Sequence, residues 1–298
     1  MTASPVLAAL RAPVNPERLA IQLMIAQGAL FAAETALIHQ IGTGASVVQL
    51  ALIRGGAGLT LALVLASSLG LTVLRTAQLR LQVLRGLVSL CYLWVMIYSF
   101  RHLPLADATA ISFTQAGYIA LFSVMILGER VGARRWTAAA IGMVGALLIA
   151  KPAFAGWHPA YLVVLGGTSL NGLAFVLNRY LQQRDSDVTT LFYTNLVAVL
   201  GNLPALGLAA MPEAGSLALL PGLLLFGPIG MYLGIVAVKH TGAATLGPYT
   251  LLRLCIGVLG GIALFREVPD FLTLLGVGLI VGSCVLSSHR PADRRIVA

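Results

Sequence analysis

Charge is what this sequence has least of. Only 10% of its 298 residues are Asp, Glu, Lys or Arg, where a soluble domain typically carries about 25%. Acidic residues are scarcer still, ten against nineteen Lys and Arg. Cysteine is confined to Cys91, Cys255 and Cys284, all within apolar runs. That argues against a disulfide framework and against a zinc site, and no cofactor or metal is expected. No Gly-x-x-x-x-Gly-Lys phosphate loop, His-Glu-x-x-His or Gly-x-Ser-x-Gly occurs, so no nucleotide motor or hydrolase motif is in view and the protein is read as a non-enzyme. What remains is hydrophobic. Apolar residues make up 58% of the chain and the mean hydropathy is +0.92, the composition of a polytopic membrane protein. The basic excess lies between apolar runs, which fits membrane orientation and excludes a nucleic-acid-binding face.

Runs long enough to cross roughly 30 Å of hydrocarbon fall at about 19 to 41, 47 to 70, 81 to 100, 104 to 128 and 134 to 150, then 157 to 180, 189 to 211, 217 to 238, 243 to 265 and 270 to 288. The fold class is therefore all-α, with ten transmembrane helices. Residues 1–18, with Pro5, Pro13, Pro16, Arg11 and Arg18, read as a solvated lead rather than a cleavable signal, and 289–298 as a tail. Counting Lys and Arg in alternate loops gives 14 on the side of the N-terminus and 3 on the other, which places both termini in the cytoplasm.

Two repeat signals divide the chain. Gln27-Gly28-Ala29-Leu30-Phe31-Ala32-Ala33-Glu34 returns 144 residues later as Asn171-Gly172-Leu173-Ala174-Phe175-Val176-Leu177-Asn178. In both, the amide, the ring and the final polar group fall at i, i+4 and i+7 on one helical face. Arg101-His102 stands before Glu129 at the same distances as Lys239-His240 before Glu267, an offset of 138. Five helices per half is an odd number, so the halves, 19–150 and 157–288, enter the membrane from opposite sides. Such inverted repeats serve alternating access around a site near the midplane.

Ten spans as five plus five, with Gly128-Glu129-Arg130 after the fourth and Arg266-Glu267 after the ninth, resemble the drug/metabolite transporter superfamily, specifically its EamA-type members. Within it the chain most resembles the bacterial YddG-type exporters of aromatic amino acids. The resemblance implies an inner-membrane secondary transporter that exports aromatic and other neutral amino acids or similar small metabolites. Cationic drugs or other metabolites are the alternative cargo; a channel and an intramembrane enzyme are the rival classes.

Charges inside the spans are the first candidates for a substrate site, because each needs a partner in lipid. Glu34 and Arg54 sit at equal depth, roughly 10 Å below the outer surface at 1.5 Å per residue. They form an ion pair that either fixes the first two helices or lends Glu34 to a substrate ammonium or a coupling proton. Arg253 lies near the midplane with no acidic residue at its depth; it either caps carbonyls near Pro248 or binds a substrate carboxylate through its bidentate fork. Its repeat partner by the 138 offset is Gln115. Trp94, Tyr98, Tyr118, Tyr232 and Tyr249, with Phe31 and Phe175, are candidates for an aromatic pocket lining, and Asn171 and Asn178 for its polar groups; packing and lipid-facing belts are the competing reading. Gly227-Pro228-Ile229-Gly230 and Gly247-Pro248 predict breaks in helices eight and nine, serving as hinges or as inert kinks. The small-residue stripes at Ala138, Gly142 and Ala146, at Gly257 and Gly261, and at Gly278 and Gly282 serve close helix packing, within the fold or between protomers, and leave the oligomeric state open.

Overall fold

A backbone in hydrocarbon must satisfy its own hydrogen bonds, so each long apolar run is driven to helix. The structure, a computed structural model, describes residues 15–41, 47–103, 105–153, 158–204, 219–265 and 268–288. The first half contains α1 (Pro16–Ile41), α2 (Val47–Leu69), α3 (Leu79–His102), the pair α4 (Leu105–Ser112) and α5 (Gln115–Leu127), and α6 (Ala133–Ala150). The second contains α7 (Ala160–Leu181), α8 (Asp187–Asn202), α9 (Leu220–His240), α10 (Ala243–Leu246) with α11 (Leu252–Phe265), and α12 (Phe271–Ser288). Among the described residues nine spans are long and apolar enough to cross a membrane. The remaining place belongs to α8, 16 residues long, whose expected run continues to 211 outside the described residues. The lead before Asn15, Arg266, Glu267 and the tail 289–298 also lie outside them.

Helix ends follow local chemistry. α1 starts three residues earlier than expected, at Pro16, because proline suits the first helical position and Asn15 Oδ1 accepts the Glu17 N–H at 3.1 Å. α5 stops at Gly128, whose φ of 64° suits glycine, and Ser186 caps α8 by accepting the Thr189 N–H at 3.1 Å. Glu129 accepts from the N–H groups of Ala243 and Ala244 at the start of α10. It is a helix-end contact.

The fourth span of each half is interrupted at equivalent places. In the second half Gly247–Leu251 tightens into a 3-10 turn between α10 and α11, the break expected at Gly247-Pro248. In the first half the break falls at Phe113-Thr114, with neither Gly nor Pro present. There the hydroxyls of Ser112 and Thr114 bond back to the carbonyls of Thr109 and Ile111, both at 2.7 Å, which competes with the helical ladder.

Packing joins the halves. α1 packs on α9 and α11, and α7 packs on α3 and α5; α2 meets α9 as α8 meets α3; α2–α8 and α6–α12 pair like with like. Exchanging the halves maps this set onto itself, the two-fold relation of an inverted repeat. The α6 stripe is internal to the fold: Gly142 abuts Ser283 and Leu251, and a methyl on Gly145 would stand 2.7 Å from the Gly276 carbonyl. Gly257, Gly278 and Gly282 instead face open space. Outward faces carry Leu, Val and Met, such as Leu63, Val64, Met125 and Leu259, as lipid contact requires.

Candidate functional site

The first octapeptide copy lies against a groove of three glycines on α9. Gln27, Phe31 and Glu34 face Gly234, Gly230 and Gly227. A methyl at Gly230 would stand 2.8 Å from the Phe31 ring, and one at Gly227 or Gly234 would overlap the Glu34 carboxylate or the Gln27 amide. This corrects the expected break in helix eight. α9 runs unbroken from Leu220 to His240 through the buried Pro228, and its glycines act as notches for α1 rather than as a discontinuity.

At Glu34 the expected ion pair forms. Arg54 Nε stands 2.9 Å from Glu34 Oε1, with the Glu34 side chain 6% and the Arg54 side chain 41% exposed. The contact is too poorly aligned to count as a hydrogen bond, so Oε1 keeps an unused acceptor. The Arg54 guanidinium also lies over the Phe31 ring, 5.4 Å from its centroid.

The second copy meets polar groups. Asn171 Nδ2 donates to Gln115 Oε1 at 2.9 Å, at the first turn of α5 beyond its break. The Tyr92 side chain, on α3, lies close to Asn171 and to Arg253. Arg253 occupies the matching first turn of α11, with its guanidinium 5.9 Å from the Phe113 ring centroid. Among the described residues it has no ion-pair partner. The two broken spans thus bring Gln115, Phe113 and Arg253 together with Asn171 and Tyr92. Gly28 and Gly172 permit this convergence: Gly28 lies against Arg253 and Ile256, and Gly172 against Tyr118 and Ile119.

Other expected residues are placed elsewhere. Trp94 and Tyr98 are 38% and 41% exposed on a stripe with Leu84 and Leu87, opposite the α3 face that carries Tyr92. That face is exposed in the fold rather than turned to the Arg253 cluster, and Tyr98 stacks on His102 at 4.1 Å. Tyr249 is buried in the core and donates its hydroxyl to the Cys284 carbonyl at 3.1 Å, so its polar group is spent on packing. Tyr232 packs beside Ala62, Leu191 and Ile235. Tyr118 stacks on Phe122 at 6.3 Å, and Phe175 fills the space between two core clusters. A cavity of about 510 Å³ beside Lys151 and Asp270 is lined by none of the candidate residues; it is an open groove at the bundle end, so the polar convergence defines the site better.

Two residues of the cluster, and a third outside it, Arg85, were not anticipated. Tyr92 and Phe113 carried a signal only in their spacing, Tyr92 seven residues after Arg85 and Phe113 two before Gln115. Arg85 was counted with the loop cations. The structure places it inside α3 with 5% exposure, where Nε donates to Asn178 Oδ1 at 2.8 Å and Nη1 to Thr194 Oγ1.

Comparison with known proteins addresses the whole arrangement. The model of the EamA-like transporter family matches residues 18–151 and again 158–289. The chain belongs to that family. It is 26% identical over 213 residues to an S-adenosylmethionine uptake transporter of Rickettsia prowazekii, covering 71% of this chain and 72% of the relative. It is 27% identical over 266 residues to a pseudopaline exporter of Pseudomonas aeruginosa, covering 87% and 92%. A riboflavin transporter of Brucella anthropi is 27% identical over 274 residues, covering 87% and 95%. A protein of known crystal structure shares the fold with a TM-score of 0.78 at 17% identity, over 90% of this chain and 96% of the other. This EamA-family protein is a multi-pass membrane protein of the drug/metabolite transporter superfamily, and its relatives mark it as a transporter of small molecules.

Proposed function

We propose that this protein is a secondary transporter of the bacterial inner membrane that exports small molecules joining a carboxylate to an aromatic or apolar body, aromatic and other neutral amino acids being the simplest members. The observation that carries the reading is Arg253. It has no counter-charge among the described residues, stands at a helix break between the halves, and lies beside the Phe113 ring, Tyr92 and the Asn171–Gln115 pair. A cation held there without a carboxylate is costly in lipid, and a substrate carboxylate meets the need. The ring and the amides supply the apolar wall and the few oriented polar groups that a small-molecule site uses.

The half-repeats rock against each other about this point, with the breaks at 113–114 and 247–251 as flexing positions. Lys and Arg still divide 13 to 3 between the ends once Arg85 is assigned to the membrane, which supports a cytoplasmic location for the basic end and both termini. Energy comes from gradients, and Glu34, buried beside Arg54, is the group to carry a coupling proton. Among the molecules named for the relatives, S-adenosylmethionine joins a carboxylate to a ring-bearing body and extends the cargo to larger metabolites, while riboflavin, which has no carboxylate, lies outside the class.

The test is flux in liposomes of labelled phenylalanine, leucine, S-adenosylmethionine, riboflavin and a cationic dye. Arg253→Lys, which loses the planar fork, is expected to raise the half-saturating concentration of the carboxylate-bearing cargo about tenfold or more with the amount of folded protein unchanged. Unchanged affinity overturns the assignment of Arg253. Flux of the dye alone overturns the cargo class.

A further inference from the structure

Arg85 is the only buried Lys or Arg among the described residues. It lies six residues into α3, roughly 10 Å inside the basic end. Among the described residues the Asn178 and Thr194 oxygens are its only hydrogen-bond partners, and no carboxylate lies within ion-pair distance. A purely structural arginine in lipid is normally matched by backbone carbonyls or by an acid. The chain has one nearby and uses it differently: Asp185 Oδ2 accepts from Thr76 at 2.6 Å and from Gln82 at 2.7 Å. The octapeptide position that faces Arg85 is Asn178, where the other copy has Glu34 paired with Arg54. Gln82, one turn from Arg85 and fully buried, keeps its Oε1 without a hydrogen-bond partner among the described residues. The basic end therefore holds an unbalanced cation and an unused acceptor, the groups that a carboxylate and an ammonium require.

We infer that Arg85, with Asn178, Thr194 and Gln82, forms a second carboxylate-binding site at the basic end of the pathway, which the cargo occupies on its way to or from Arg253. The inference rests on the reading of the protein as a transporter of carboxylate-bearing molecules. Asn178 and Thr194 hold the guanidinium while the end is closed. Their helices, α7 and α8, belong to one half and α3 to the other, so rocking of the halves frees the guanidinium for cargo.

The decisive variant is Asn178→Asp, which supplies the missing carboxylate from within the chain. The probes are L-phenylalanine, 3-phenylpropionate and phenethylamine, the last lacking the carboxylate, presented to everted and to right-side-out membrane vesicles. The half-saturating concentration of phenylalanine and phenylpropionate is expected to rise about tenfold at the cytoplasmic face and stay within about twofold at the outer face, with phenethylamine unaffected at either. Equal effects at the two faces, no effect, or an equal effect on phenethylamine overturns the inference while leaving the function in place. No flux of any probe in the parent protein overturns the functional reading and this inference with it. Should Asn178→Asp not fold, Arg85→Lys is read in the same way, with a rise of about threefold expected at the cytoplasmic face alone.

Discussion

The two octapeptide copies share a pattern and differ in what they face. On α1, Gln27, Phe31 and Glu34 fit glycine notches of α9, and the final acid is balanced by Arg54. On α7, Gly172 is itself the notch, pressed against α5, while Asn171 and Asn178 meet Gln115 and Arg85. One motif, inserted twice in opposite senses, thus yields a sterically keyed, charge-neutral end and a polar end with an excess cation. Internal symmetry conserves the backbone path, because helix packing depends on close approach. It does not conserve the chemistry, because each side chain meets a different neighbour.

The largest expected effect separates the two glycines. A methyl on Gly172 would stand 2.7 Å from the Tyr118 Cβ and 3.3 Å from the Ile119 backbone nitrogen, neither of which can swing away. Gly172→Ala is expected to lower stability by about 1–3 kcal/mol, read from unfolding midpoints in detergent. Gly28→Ala meets the flexible Ile256 Cδ1 at 3.2 Å and the Arg253 backbone at an ordinary contact distance of 3.5 Å, and is expected to cost less than about 0.5 kcal/mol. Equal losses would show that the copies are packed alike after all.

Next comes the charged end of the first copy. Glu34→Gln keeps the shape of the buried side chain but removes the counter-charge of Arg54, and is expected to cost on the order of 1 kcal/mol in stability. It is also expected to abolish accumulation of cargo driven by a pH gradient in proteoliposomes. Normal accumulation in that variant would reduce the Glu34–Arg54 pair to a structural tie.

The smallest effect concerns the contact that joins the end of the first half to the last helix of the second. Lys151 Nζ lies 2.6 Å from Asp270 Oδ1, both side chains about half exposed. The hydrogen bond from Lys151, with a second from Thr273, holds the Asp270 carboxyl down at about 2, below the ordinary 3.8. A depressed carboxyl stabilises the fold above its ordinary value, and that contribution is lost as the pH falls through about 2. The difference between Asp270→Asn and the parent in thermal unfolding is therefore expected to be small at neutral pH, steady down to the ordinary carboxyl range, and gone at about pH 2.

Much of this was legible beforehand. Long apolar runs, the paired octapeptides and the equal-depth charges Glu34 and Arg54 led directly to the helices, the inverted halves and the ion pair, because each depends on spacing along one chain. The break at Phe113-Thr114 was not legible, since Ser and Thr side chains compete with the ladder only in context. Gly227 and Pro228 were misread because the same glycines that weaken a lone helix strengthen one with a bulky neighbour in its groove. Trp94 and Tyr98 looked suited to a pocket, but α3 turns that face outward, away from the Arg253 cluster. Arg85 was hidden by its place near the start of a hydrophobic run, where a charge belongs equally to a loop or to a buried network.

The sequence by itself determined the membrane class, the division into halves and their opposite insertion, because hydropathy and charge bias act on each segment without reference to its partners. Only the tertiary structure decided which polar groups converge, which arginine keeps a counter-ion and which glycines receive a side chain. Those outcomes depend on residues 56 and 93 positions apart in sequence meeting across packed helices, and no local pattern encodes that register.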